Sequence, residues 1–141
     1  MMIKQLSIFL ENKAGRLAHI TDILGKAQIN LLALSLADSS DFGILRVIVD
    51  DVARAQSVLK ENNVVCAVHD VLAVEVEDRP GGLAQLLALL VQQGINVEYM
   101  YAFSESKTGR AAMVFRFDAP EKALAALQKA GVNIFSPLSL R

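Results

Sequence analysis

Along residues 71 to 77 two sets of side chains alternate, Leu72, Val74 and Val76 against Val71, Ala73, Glu75 and Glu77, the two-residue period of a β-strand. Residues 3 to 10 read as a strand in the same way. Each strand runs into a polar turn containing glycine, after which the period changes. Leu17, Ile20, Ile23, Leu24 and Ala27 fall at helical spacing, as do Leu83, Leu86, Leu87, Leu90 and Val91, so each segment predicts an amphipathic helix with one buried face. Gly94 stands where a glycine ends the second of these helices. Residues 29 to 37 and 95 to 104 then read as strands. In the first of them Ile29, Leu31 and Ala33 alternate with Leu32, Leu34 and Leu36, apolar on both sides, which predicts that both faces are covered.

Gly43 and Gly109 precede further strands at 44 to 49 and 111 to 117, with Asp-Ser-Ser-Asp and Ser-Glu-Ser-Lys-Thr supplying the hairpin turns. Asp118, Pro120 and Glu121 suit an N-cap, a first-turn proline and an N3 acid, and Asp50-Asp51 opens the corresponding helix of the first half. A last strand closes each half. The order is βαββαβ twice. Right-handed crossovers turn each βαββαβ into a ferredoxin-like unit, an antiparallel sheet with both helices on one face, so the fold class is α+β.

The two halves are copies. Leu10-Glu11-Asn12-Lys13-Ala14-Gly15-Arg16-Leu17 returns as Val76-Glu77-Asp78-Arg79-Pro80-Gly81-Gly82-Leu83, and Ile29-Asn30 returns as Ile95-Asn96. After a two-residue drift in the hairpin, Asp50 falls on Asp118 and Leu59 on Leu127. The units divide at residues 1–70 and 71–141, with only His69-Asp70 between the last strand of one and the first of the other. So short a link predicts a rigid pair with a covered open face. Halves of about 70 residues are near the lower limit for an independent core, so each should lean on the other.

Composition narrows the function classes. Hydrophobic residues make up 53% of the chain and the mean hydropathy is +0.38, high for a short soluble protein, which predicts surface that meets another subunit and hence oligomerisation. Fourteen basic and fifteen acidic residues give a net charge of −1, which offers no field for nucleic acid or an anionic membrane. No apolar stretch reaches signal or spanning length, and the single cysteine, Cys66, sits in an apolar run, so the expected location is the cytoplasm. His19 and His69 have no acidic or cysteine companions at metal spacing, and no base is paired with a nucleophile, so neither a metal, a cofactor nor catalysis is expected. Tyr99, Tyr101 and Phe103 alternate along one strand face; they suit packing under the helices or at a sheet-to-sheet contact, and one ring could floor a pocket.

Apart from core positions, the copies share the turn and the asparagine. The turn meets a helix N-terminus, where unpaired backbone N–H groups and the helix dipole favour a carboxylate. Gly15 and Gly81 let a ligand approach the backbone, and Pro80 pre-sets the turn. Asn12 and Asn30 each carry a donor and an acceptor on one amide, which suits a zwitterion, while ionised Asp78 can only accept. The same residues also suit purely local roles, as helix caps at Asn12 and Asp78 and turn residues at Asn30 and Asn96.

Taken together, an Asn or Asp, a basic residue, Pro or Ala, Gly and a helix-opening Leu, followed about fifteen residues later by Ile-Asn, resembles the ACT domain, twice over and across essentially the whole chain. The resemblance implies tandem small-molecule-sensing modules that bind amino acids where two units pack edge to edge. By that likeness Asn12, Ala14, Gly15, Leu17 and Asn30, with Asp78, Pro80, Gly81, Leu83 and Asn96, line candidate ligand sites. The first copy departs from the family pattern at Ala14, where Pro is usual, and at Gln28, where Gly is common; the second departs at Asp78. Leu10 and Val76 occupy a position that is His in some members, which counts against any ligand that depends on an imidazole there.

The resemblance implies a stand-alone regulatory module, a homodimer, that senses a free amino acid between ACT units and modulates an enzyme of amino-acid metabolism. The competing expectation is a ligand-independent subunit that docks on a catalytic partner. A small acylphosphatase-like enzyme would need Arg16 and Asn12 in a phosphate cradle, and the surrounding loop does not match one.

Overall fold

The computed structural model describes residues 2–103 and 110–137. The second hairpin, Gly109 and the end of the strand read to residue 104 lie outside the described residues. The elements run β1 (Ile3–Glu11), α1 (Arg16–Lys26), β2 (Leu31–Ser39), β3 (Phe42–Val49), α2 (Val52–Glu61), β4 (Cys66–Glu77), α3 (Gly82–Gln92), β5 (Val97–Phe103), β6 (Arg110–Phe117), α4 (Pro120–Lys129) and β7 (Ile134–Phe135). The fold is α+β, as the two periodicities require. The chain forms two compact bodies, one of residues 4–69 and one of the described residues from 70 onward with Met2 and Ile3.

In the first body β3 lies between β2 and β1, antiparallel to both, and Phe9 donates its backbone N–H to the Val65 carbonyl at 3.0 Å, which brings in the approach to β4. The period-two pattern of β1 sends Leu6, Ile8 and Leu10 to the helical side. There they meet Leu45, Val47 and Val49 of β3, Ile20, Ile23 and Leu24 of α1, and Ala55 and Leu59 of α2. On the other face of β1, Ser7 Oγ lies 3.1 Å from His69 Nδ1 and accepts from Gln5 Nε2 at 3.3 Å, so the buried hydroxyl is satisfied.

The second body repeats the plan. β6 pairs with β4 and β5, and β7 pairs with β4 through Ala73 and Val74. Leu72, Val74 and Val76 form its core with Leu86, Leu90, Ala123 and Leu127. Phe115 and Phe117, two residues apart on one face of β6, stack within that core with ring centroids 5.3 Å apart. Tyr101 and Phe103 pair with Val114 and Ala112, whose side chains alternate with Phe115, so the aromatic stripe lies on the face away from the helices.

Three local expectations change. Leu34 and Leu36 are 49% and 52% exposed, so β2 is not covered on both faces. A register shift between Leu31 and Ala33 puts them opposite Val47 and Leu45 on the helical side, but at the outer edge of this body's sheet. β4 is a single uninterrupted strand, because no glycine or proline breaks the run from Cys66 to Glu77. Finally, Ala119 rather than Asp118 is the N-cap of α4, with Pro120 following; the Asp118 carboxylate is used elsewhere.

Candidate functional site

Both shared turns are built alike. Gly15 (φ 88°) and Gly81 (φ 86°) are the N-caps of α1 and α3 in the left-handed region, where a side chain would be strained, and neither helix has a side-chain cap. Asn12 and Asp78 therefore do not cap these helices. The turn closes on itself, with the Arg16 N–H on the Lys13 carbonyl at 3.2 Å and the Gly82 N–H on the Arg79 carbonyl at 3.0 Å. The amides of the next residues, Leu17 and Ala18 or Leu83 and Ala84, have no acceptor inside the helix and form the positive end of its dipole.

Asn12 is tied to the β2–β3 hairpin: its backbone N–H reaches the Asp41 carbonyl at 2.9 Å and its Nδ2 the Ser40 carbonyl at 3.0 Å. That leaves Oδ1 as the free edge of the amide, an acceptor. Asp78, at the same place in the second turn, is exposed and only accepts. Ala14 and Pro80 are exposed on the turn surface, whereas Leu17 and Leu83 are half-buried and pack on the cores of their bodies. The Glu11 carboxyl, at the edge of the first turn, is held below its ordinary range by the hydrogen bond and charge of Lys13 at 2.9 Å and then by the charge of Arg16 at 3.6 Å.

Asn30 and Asn96 are placed by a repeated clamp. The Asn30 N–H donates to Asp50 Oδ1 at 3.0 Å while the Asp50 N–H returns to the Asn30 carbonyl at 3.2 Å; Asn96 and Asp118 do the same at 2.9 and 3.1 Å. The aspartate fixes the asparagine's backbone and leaves its amide side chain exposed. Neither amide makes a hydrogen bond among the described residues. Asn30 lines a cavity of about 380 Å³ with Gln28, Leu32, Asp50, Asp51 and Arg54. Asp51 caps α2 through the Arg54 N–H at 3.1 Å, and Arg54 Nε donates to the Ala27 carbonyl at 2.9 Å, which holds the guanidinium over this pocket. A carboxylate acceptor and a guanidinium donor thus stand on one rim.

Within one body the turn and the asparagine do not meet. They sit at opposite ends of α1, whose eleven residues span about 16 Å, and α3 separates the second pair in the same way. Sequence reading missed Asp51 and Arg54 as parts of the pocket, and it gave Asp118 a capping role instead of the clamp. The signal for the clamp was present, since Asn30 to Asp50 recurs as Asn96 to Asp118 with nearly the same spacing.

The family model for an ACT domain pair matches residues 1–135. A solved structure from Bacteroides thetaiotaomicron is 41% identical, with 99% of this chain and 96% of that one covered and a TM-score of 0.92. The ligand-free regulatory subunit of aspartate kinase from Thermus thermophilus shares the fold at 16% identity, covering 90% and 91% of the two chains with a TM-score of 0.64. The corresponding subunit from Thermus flavus does so at 17% identity, 91% and 92% coverage and a TM-score of 0.60. A search of curated proteins gave no match. Among the described residues no helix is long and apolar enough to cross a membrane.

Proposed function

Since this chain belongs to the family of ACT domain pairs, we propose that it is a regulatory module without catalytic activity, which binds a free amino acid and passes that signal to an enzyme of amino-acid metabolism. The observation that carries this reading is the twice-built clamp that fixes the backbone of Asn30 and Asn96 and leaves their side-chain amides exposed with unused hydrogen-bonding capacity. The donor and acceptor of such an amide match both ends of a zwitterion. Beside Asn30, Asp50 and Asp51 suit an ammonium group and Arg54 suits a carboxylate.

The turn residues Asn12, Ala14, Gly15, Asp78, Pro80 and Gly81 complete the site from another unit. A helix length of about 16 Å keeps turn and asparagine of one unit from touching the same small ligand, so different units supply them, and the working form proposed is a homodimer. Leu17 and Leu83 act from below, by holding the turn to the core.

The test is a thermal-shift screen of the whole chain against the twenty amino acids. A ligand present at ten times its Kd stabilises by about 1.4 kcal/mol, enough to raise the melting temperature by a few degrees. One or two hits that disappear in Asn30→Ala or Asn96→Ala, with the unliganded melting temperature kept, support the proposal. Absence of any hit from a folded protein turns the assignment to the ligand-independent docking subunit.

A further inference from the structure

The repeat provides an internal control for a second cavity. In the first body a groove of about 410 Å³ opens between the end of β1, the start of α1 and the loop from α2 to β4, and in the second body a groove of the same volume opens at the same place. The correspondence is exact in the backbone: the Phe9 N–H meets the Val65 carbonyl at 3.0 Å as the Glu75 N–H meets the Asn133 carbonyl at 2.9 Å. The side chains have diverged. In the second groove Asn133 Nδ2 donates to Glu75 Oε2 at 3.0 Å, and Gln85 is occupied by Arg79 Nη2 at 2.7 Å, so its polar groups satisfy one another.

In the first groove the matching residues are Val65, Phe9 and His19. Val65 is 67% exposed and Phe9 45%, and Phe42 adds a second ring at 60%. These are three of the six large apolar side chains exposed among the described residues, gathered on one concavity. Arg16 stands where the second copy has Gly82, and the His19 imidazole makes no hydrogen bond among the described residues. In the lining Arg16 pairs loosely with Glu11, at 3.6 Å, and that carboxylate is held more closely by Lys13 at 2.9 Å, which leaves guanidinium N–H groups of Arg16 for a ligand. An apolar floor of small-molecule dimensions beside the guanidinium of Arg16 and the imidazole of His19, two groups that can donate to a carboxylate, is complementary to an apolar anion.

We propose that the groove lined by Phe9, Arg16, His19, Phe42 and Val65 binds a small carboxylate with an aromatic or alkyl body, the carboxylate meeting Arg16 and His19 and the body covering Phe9, Phe42 and Val65. The groove shares no lining residue with the cavity at Asn30, which lies at the other end of α1, while its Glu11 and Arg16 flank the turn at residues 12–15 that the proposed amino-acid site draws on.

The test is a ¹H–¹⁵N NMR titration of the full chain with sodium phenylacetate, with phenylacetamide as the neutral control. The expected result is a saturable shift of the Phe9, His19, Phe42 and Val65 amides, stronger for the acid. Phe9→Glu with Val65→Asn, which installs the second copy's residues, should weaken binding by at least about tenfold, or 1.4 kcal/mol. Should that pair misfold, Arg16→Gln on the exposed rim serves alone, and it should bring phenylacetate binding down to that of phenylacetamide. No saturable shift up to about 10 mM, shifts that map elsewhere, or equal binding by the Arg16→Gln variant overturns the proposal. So does concentration-dependent line broadening at these amides without a response to phenylacetate, which would assign the groove to a second copy of the chain.

Discussion

Gln28 and Gly94 hold the same place after α1 and α3, and they form a matched pair for measuring what a side chain costs in the left-handed region. Gln28 has φ 60° and Gly94 φ 68°. The surrounding geometry is the same: the N–H of Gln28 or Gly94 returns to the helix three residues back, and the Ile29 N–H meets the Leu24 carbonyl as the Ile95 N–H meets that of Leu90, both at 3.0 Å. A left-handed conformation costs a residue with a Cβ roughly 1–2 kcal/mol. Glycine escapes that cost but gives up about 0.5–1 kcal/mol of chain entropy on folding. Gln28 is exposed and makes no side-chain hydrogen bond among the described residues, so Gln28→Gly should stabilise the first body by about 0.5–1 kcal/mol. A Cβ built on Gly94 meets nothing within 4 Å, so Gly94→Ala should destabilise the second body by a similar amount, with no clash to inflate it. Native-state hydrogen exchange at the Ile29 and Ile95 amides reads each body separately, and urea denaturation should show shifted midpoints at unchanged slope. If Gln28→Gly lowers protection at Ile29, or Gly94→Ala leaves Ile95 unchanged, the strain argument is wrong.

Other expectations follow from named contacts. Asp118→Ala removes the acceptor for the Asn96 N–H and should cost about 1 kcal/mol, seen as faster exchange of the Asn96 amide, with loss of amino-acid binding exceeding the loss of stability. Gly82→Ala drives a Cβ into the Glu77 carbonyl oxygen and should cost about 1–3 kcal/mol in the urea midpoint despite the better helix propensity of alanine; a neutral result would show that the second turn can relax to the form that carries Arg16 in the first. Burial pushes the Cys66 thiol up from its ordinary value. Its folded pKa being raised, the stability that the neutral thiol lends is present below the unfolded value and is lost as pH rises through the folded one. Alkylation by iodoacetamide should accordingly be slower in the native chain than in the urea-unfolded chain at pH 8.5, and equal rates would refute the shift.

Period and repetition along the chain determined a great deal. Alternation in 71 to 77 and helical spacing after each turn specified the strands, the helices and the faces that became the cores, because burial of apolar side chains is what selects those faces. The duplicated turn and Ile-Asn specified that there are two units of one kind, and the family match over residues 1–135 agrees with that reading. Tertiary structure decided what depends on partners distant in sequence. It assigned Asp118 to the Asn96 backbone rather than to a helix cap, tied Asn12 to the hairpin, and left Leu34 and Leu36 exposed because the register of an edge strand is set by its neighbour. It also separated turn from asparagine by the length of a helix, and it gave two equivalent grooves opposite characters through single side chains. Local propensity cannot report such differences, since a hydrogen bond or a covered face belongs to the pair of segments that form it.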